Sequence, residues 1–348
     1  MPFSRRQFLC AAAAAAMAAS MPTNAARKLV VATWPNYHDP ENLRRFTAKT
    51  GIHVETRVFG SNEEMMNWLL SGKSGFDIVV ATNYAVNAYG KMGLLRPLRL
   101  ERFPHYDPAS QQRRFVEVVT TEQRLFGLPK NWGTTGFVYD QKKISSAPTR
   151  WRDFWDLATT VANRQTVVHD YQLTAIGNAL KYYRYSFNSN VGAELDAAEA
   201  LLLKTKPHLR AVSSLAYDQM RAGAWLSMAW SGDGTLLNRE NPDLRYVIAE
   251  EGGEIWADYF TITRECQDVA AAEAFIDFLL TPDNNAAEVK AHGFPPIDER
   301  VLGLLPAAIR NNPIMFPPAA QLNNLEFGSR ETLTHPRRAE ILAKFKAA

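Results

Sequence analysis

The chain has 348 residues, 46% of them hydrophobic, which is enough to bury a substantial core and long enough for two domains. Its 39 Lys and Arg stand against 36 Asp and Glu, with both signs scattered. That argues against a basic groove for nucleic acid and leaves partners to be read from individual sites.

Residues 1–26 read as an export signal. "SRRQFLCAAAAAAMAAS" places Arg5 and Arg6 ahead of an Ala-rich apolar stretch, followed by Pro22 and small residues suited to cleavage near Ala25 or Ala26. The run is too short for a membrane span. The arginine pair followed by Gln7, Phe8 and Leu9 resembles a twin-arginine signal, carried by proteins exported already folded. Cleavage takes two bases and no acids, so the mature chain is close to neutral. Cys10 leaves with the leader and Cys266 is then alone, which excludes an intramolecular disulfide. In "TRECQDVAAAEAF" Cys266 has no CxxC or metal spacing and reads as a small packed residue.

"KLVVATW" (28–34) is a β-branched run entering a Pro-Asn turn, and "DPENLRRFTAKTG" is a helix with Leu43 and Phe46 on one face and Gly51 as its stop. "HVETRVF" gives a second strand. "SNEEMMNWLLSG" opens with Ser61 and Glu64 spaced as a capping box and puts Met65, Trp68 and Leu69 on one face. "FDIVVATNY" reads as a third strand, ending in a polar turn with an aromatic, Tyr84. Strands alternating with helices predict an α/β fold with a parallel sheet, in which ligands bind beyond the carboxyl ends of strands.

Farther on, "RLFGLPKNWGTTGFVYD" is a Gly-rich extended crossing and "TRWRDFWDLAT" the first helix of a second unit. "QTVVHDYQLTAIGNALKYY" is a strand ending at His169 and Asp170, then a helix. "GAWLSMAW" ends at Ser231, Gly232 and Asp233, and "LRYVIAEEGGEIWADYFTIT" supplies a Gly pair, Trp256 and Asp258. "DVAAAEAFIDFLL" is a helix with Phe275, Ile276, Leu279 and Leu280 at helical spacing and Pro282 beyond its end.

Aromatic and polar side chains therefore recur at strand ends: Trp34 and Tyr37, Thr82 and Tyr84, Trp230 and Asp233, Trp256 and Asp258. One tryptophan at a strand end is ordinarily packing, but a set of them at the edge where α/β sites form points to a ligand. Ring faces with carboxylates suit an organic cation, since a desolvated ammonium gains about 2 kcal/mol over a ring and a carboxylate takes its charged hydrogen bonds. Asp233 and Asp258 offer two ends for a ligand with two ammonium groups. Enzyme patterns are weak: "SGKSG" lacks the first glycine of a phosphate loop, there is no G-x-S-x-G or H-E-x-x-H, and the seven histidines are dispersed, against a metal site.

An ordered series of segments resembles the periplasmic spermidine/putrescine-binding proteins, the substrate-capturing components of ABC transporters: "TWPNY", "AKTGIHVE", "SNEEM", "FDIVVATNY", "GLPKNWGTTGFVYD", "RWRDFWDL", "MAWSGDG", "GGEIWADYF", "FIDFLLTPD" and "HGFPPID". The resemblance implies a two-lobed, type II-like binding-protein fold, with mixed, mostly parallel sheets, helices on both faces and two crossovers, near Trp132 to Gly136 and Trp256 to Tyr259. It implies residues 27–134 for lobe 1, 135–257 for lobe 2, a return to lobe 1 over 258–310, and a C-terminal helical segment, 311–348, of unassigned lobe. It implies a ligand shell of Trp34, Tyr37, Thr82, Tyr84, Asp170, Trp230, Asp233, Trp256 and Asp258, with no metal or cofactor. Asn36 in place of an acid, Phe294 in place of a tyrosine, Gly328 in place of a glutamine and "YQLT" in place of a second acid leave few anionic groups. These departures favour a diamine such as putrescine over spermidine.

The expected protein is thus a periplasmic monomer that closes on a polyamine and hands it to a membrane permease, with no chemistry of its own. The alternatives are another organic amine or an amino-acid-like ligand, whose carboxylate would need a base such as Lys130 or Arg264 in the cleft; a receptor that delivers to a sensor; and a secreted enzyme.

Overall fold

The computed structural model describes residues 27–121 and 124–348, so the leader read from Arg5, Arg6 and the Ala25/Ala26 region lies outside the described residues. Among the described residues no helix is long and apolar enough to cross a membrane.

The chain opens with β1 (Lys28–Thr33), α1 (Pro40–Thr50), β2 (His53–Val58), α2 (Asn62–Leu70), β3 (Ile78–Thr82) and α3 (Asn83–Lys91). All of β3 and all but the first residue of β1 are buried, as expected of strands covered on both faces. Helix α1 starts where the Asp39 side chain accepts from the Glu41 amide with Pro40 in the first turn, and it stops at Gly51 in the left-handed conformation (φ 72°).

The start of α2 departs slightly from a capping box. Ser61 Oγ accepts from the Glu64 amide, but the Glu64 carboxylate reaches back to the amide of Gly60. Met65 and Leu69 are buried while Trp68, at the margin of that face, is 48% exposed and lies against Phe76 at 6.3 Å between ring centroids. The third strand ends at Thr82, and a helix follows at once in place of the expected polar turn. Thr82 occupies the N-cap of α3 and Tyr84 falls inside the helix.

The long strand β4 (Leu128–Asp140) follows, then α4 (Trp151–Thr159), β5 (Thr166–Val168), α5 (Gln172–Tyr182), α6 (Gly192–Thr205), β6 (Leu209–Val212), α7 (Ala216–Arg221), β7 (Leu226–Trp230), α8 (Ser231–Glu240) and β8 (Leu244–Val247). The second long strand, β9 (Gly253–Ile262), leads to α9 (Val269–Leu280), α10 (Pro282–His292), β10 (Leu325–Phe327) and α11 (Pro336–Ala347).

Ten strands form one continuous sheet in the order β2-β1-β3-β9-β4-β7-β5-β6, with β8 beside β4 and β10 beside β9. Pairing is parallel in the two arms and between β9 and β10, and antiparallel where β4 and β9 meet each other, β3, β7 and β8. The two long strands run side by side, with Trp256 opposite Gly133 and Asp258 opposite Asn131, and a register shift follows between Asp258 and Tyr259. Beyond that point β9 pairs with β3, whereas β4 pairs with β7 through Thr135–Tyr139.

Two large cores flank this junction. One gathers β1, β3, α1 and α9 around Phe46, Tyr89, Phe275 and Tyr259. The other gathers α4, α5 and α6 around Trp151, Phe154, Trp155 and Leu202. Ile341 and Phe345 of α11 belong to the second core, which places the end of the chain against α5 and α6.

Candidate functional site

The strand ends converge on one cleft between the two cores. Trp34 and Tyr37 come from the turn after β1, Thr82 from the end of β3, Trp230 from the end of β7 and Asp233 from the first turn of α8. Trp256 and Asp258 alternate with Glu254 along one face of β9, as the two-residue repeat of a strand requires. Phe294 and His292 close one side, and Asn62, Tyr171, Ser214, Tyr217 and Asp218 complete the other. Asn36, in the turn after β1, takes a left-handed backbone (φ 52°), which asparagine adopts more readily than most residues.

The rings hold one another. Trp230 packs on His169 at 4.8 Å and Tyr171 at 6.2 Å, and faces Trp34 at 6.5 Å between centroids. Phe294 meets Trp256 at 5.1 Å and Tyr37 at 5.3 Å, both near edge-on. Glycine is required beneath this frame, because a Cβ on Gly133 would lie 2.5 Å from the Trp256 ring and one on Gly232 would lie 2.3 Å from Phe294. Gly328 is confined in the same way: a side chain there would meet Leu173 and Tyr84 at 2.7 Å, so the glutamine expected of spermidine binders has no room.

Acids dominate the charge. Asp218, Asp233, Glu254 and Asp258 line the cleft, and among the described residues no Lys or Arg does. Burial pushes Asp233 up to about 7, helped by the charge of Asp218. Burial likewise raises Glu254 to about 8, with Asp258 and Glu63 adding to it against the Thr135 hydrogen bond. Asp258 reaches only about 6, since the Tyr37 hydroxyl donates to it at 2.5 Å and Lys130 lies nearby. His292, the one basic type in the lining, is held well below its ordinary value by burial and by Lys130, and so is neutral.

Lys130 is engaged elsewhere. Its Nζ lies 2.9 Å from Glu288 Oε2, 3% of the residue is exposed, and it sits 4.9 Å over the back of the Tyr37 ring. Glu288 also accepts from the Asp39 amide and Asn42 Nδ2 and lies 3.0 Å from His38 Nδ1. Burial alone would raise Glu288, but Lys130 and His38 outweigh it and hold the carboxyl well below the usual range. This network braces Tyr37 from behind. Arg264, the other base considered from sequence, is exposed and outside the lining, so among the described residues a ligand carboxylate would find no Lys or Arg partner in the cleft.

Of the nine residues expected in a ligand shell, seven line the cleft: Trp34, Tyr37, Thr82, Trp230, Asp233, Trp256 and Asp258. Tyr84 and Asp170 stand one layer back. Tyr84, 1% exposed, accepts from Asn62 Nδ2 at 2.7 Å, and Asp170 accepts from the Ser214 hydroxyl. Both therefore reach the cleft through a neighbour that lines it. His169 is fully buried with Nδ1 3.1 Å from Thr174 Oγ1, and burial lowers it to about 4, so it is a packed neutral ring. Glu254 and Asp218 were absent from the expected shell, and with them the count of acids in the cleft is larger than the sequence reading allowed. Among the described residues no cluster of three or more His, Cys, Asp or Glu is placed to hold a metal ion. Cys266 is buried and free, and burial raises its thiol to about 12.

Known proteins match along nearly the whole chain. The family model for the bacterial extracellular solute-binding proteins matches residues 42–317. A putrescine-binding periplasmic protein of Pseudomonas aeruginosa, SpuD, is 29% identical over 308 residues, covering 83% of each chain. The putrescine-binding periplasmic protein PotF of Escherichia coli is 27% identical over 330 residues, covering 88% of each. Among solved structures, a Listeria monocytogenes protein assigned to a spermidine/putrescine ABC transporter superposes with a TM-score of 0.85 at 28% identity, over 92% of this chain and 99% of its own. The substrate-binding protein PotD of Streptococcus pneumoniae superposes with a TM-score of 0.73 at 25% identity, again over 92% and 99%.

Proposed function

The chain belongs to the family of bacterial extracellular solute-binding proteins, and from that premise we propose that it captures an aliphatic polyamine in the periplasm and presents it to the membrane permease of an ABC transporter. The observation that carries this reading is the charge of the cleft: four carboxylates, a frame of aromatic faces and, among the described residues, no Lys or Arg. Ammonium groups would pair with Asp233 and Asp258, and the methylene chain would lie across Trp34, Trp230 and Trp256. A diamine such as putrescine is the smallest ligand that meets both ends. Cleavage near Ala25 or Ala26 would release a chain that works as a monomer. Residues 27–134 and 258–310 form lobe 1 in this reading and 135–257 lobe 2, with α11 joining the latter, and hinge motion about β4 and β9 closes the cleft.

Proton linkage gives the test. Asp233 at about 7 and Asp258 at about 6 must be ionised to receive ammonium groups, whereas aliphatic amines stay charged to well above pH 8. Ligand binding below these values displaces protons, so affinity for putrescine should rise from pH 5.5 to 8, by up to about tenfold per unit for each proton displaced. The free protein should move the other way. A carboxyl whose folded value lies above its unfolded value of about 4 binds more protons when folded, so its contribution to stability falls as pH rises from about 4 to 8. Thermal melting with and without putrescine across that range measures both, and a ligand-induced shift that is flat with pH would contradict the assignment.

A further inference from the structure

We propose that Glu254, together with Asn62, forms a third cation site in the cleft, so that a linear triamine is held more tightly than a diamine. The inference rests on the polyamine reading and deepens it.

The argument begins on β9. Glu254, Trp256 and Asp258 alternate on the face that lines the cleft, which sets the Cα atoms of the two acids about 13 Å apart with the indole between them. Glu254 is 1% exposed. Its Oε2 accepts from the Thr135 hydroxyl at 2.6 Å, on the neighbouring strand, and its Oε1 has no partner. Asn62 lines the same cleft and is 2% exposed. Its Nδ2 is committed to Tyr84 at 2.7 Å and Thr82 at 3.2 Å, which leaves Oδ1 as a second unpartnered acceptor.

The charges felt by Glu254 come from Asp258 and Glu63, both acids. A buried carboxylate oxygen without donor or counter-charge is costly, and nothing in the packing of β9 asks for one. Glutamine would keep the bond to Thr135 at a lower cost. A ligand nitrogen carrying N–H groups and a positive charge supplies what is missing to both acceptors. A diamine engaged by Asp233 and Asp258 has no nitrogen left for Glu254, whereas a triamine has one.

Calorimetric titration of the ligand-stripped mature chain with putrescine and with spermidine, in the parent and in Glu254→Gln, tests this. The parent should bind spermidine at least tenfold more tightly than putrescine. The variant should lose thirtyfold or more for spermidine and less than threefold for putrescine, whose retained binding reports that the variant is folded. A variant-independent measurement accompanies it: in buffers of different ionisation enthalpy at pH 7, spermidine should release more protons from the parent than putrescine does. Equal losses for both amines, no loss for spermidine, or equal proton release would overturn the third site while leaving the polyamine reading intact. Failure of the parent to bind either amine would overturn the reading and this inference together.

Discussion

Replacing Asp233 with asparagine is expected to weaken putrescine binding by about 100-fold, or about 3 kcal/mol, with the fold retained. Asp233 sits in the first turn of α8, and burial, with the charge of the acid Asp218, holds its carboxyl up at about 7. In the free protein this is an expense without return; in the complex it becomes a charge-assisted hydrogen bond inside a cleft that, among the described residues, no Lys or Arg lines. Asparagine keeps the size and an acceptor but removes the charge. The free variant should therefore melt at a slightly higher temperature above pH 7, where the parent carries a poorly solvated carboxylate, while its calorimetric affinity collapses. Unchanged affinity for putrescine would remove Asp233 from the site.

The second large effect lies behind the cleft. Lys130→Met should cost about 3 to 5 kcal/mol of folding stability, because it leaves Glu288 buried without its main counter-charge. His38 alone is a poor substitute, since burial depresses its basicity. Denaturant unfolding measures the loss. Pairing the change with Glu288→Leu should recover much of it, as an apolar pair often replaces a buried ion pair at little cost. Because Lys130 backs the ring of Tyr37, and Tyr37 donates to Asp258, the single variant should also bind putrescine less tightly. A loss under 1 kcal/mol would mean that the network is solvated and does not brace the site.

The α/β architecture was legible because both-faces-buried strands leave continuous apolar runs, and "KLVVATW" and "FDIVVATNY" are such runs. The aromatic and acidic strand ends were legible where those runs stop, and six of them, with Thr82, meet in the cleft. Tyr84 was placed at the rim in a polar turn after its strand; α3 instead starts directly after Thr82, a local choice that apolar patterning does not register. Glu254 was missed although its signal was present. In "EIWAD" it stands two residues before Trp256 and four before Asp258, hence on the same strand face, but the reading of that segment named only the Gly pair, Trp256 and Asp258. Asp218 gave no such signal, since it reaches the cleft only through the packing of α7 beside α8. Lys130 looked like a base available to a ligand, and its pairing with Glu288, 158 residues away in the chain, is a tertiary fact that no local pattern carries.

The central claim is that the cleft is a receptor for a polyvalent organic cation. Isothermal titration of the ligand-stripped mature protein with putrescine, cadaverine, spermidine and spermine at pH 8, where Asp233 and Asp258 are ionised, tests it most directly. The account predicts binding at micromolar affinity or tighter to at least one of the four, with one ligand per chain. A folded protein that gives no heat with any of them would contradict it.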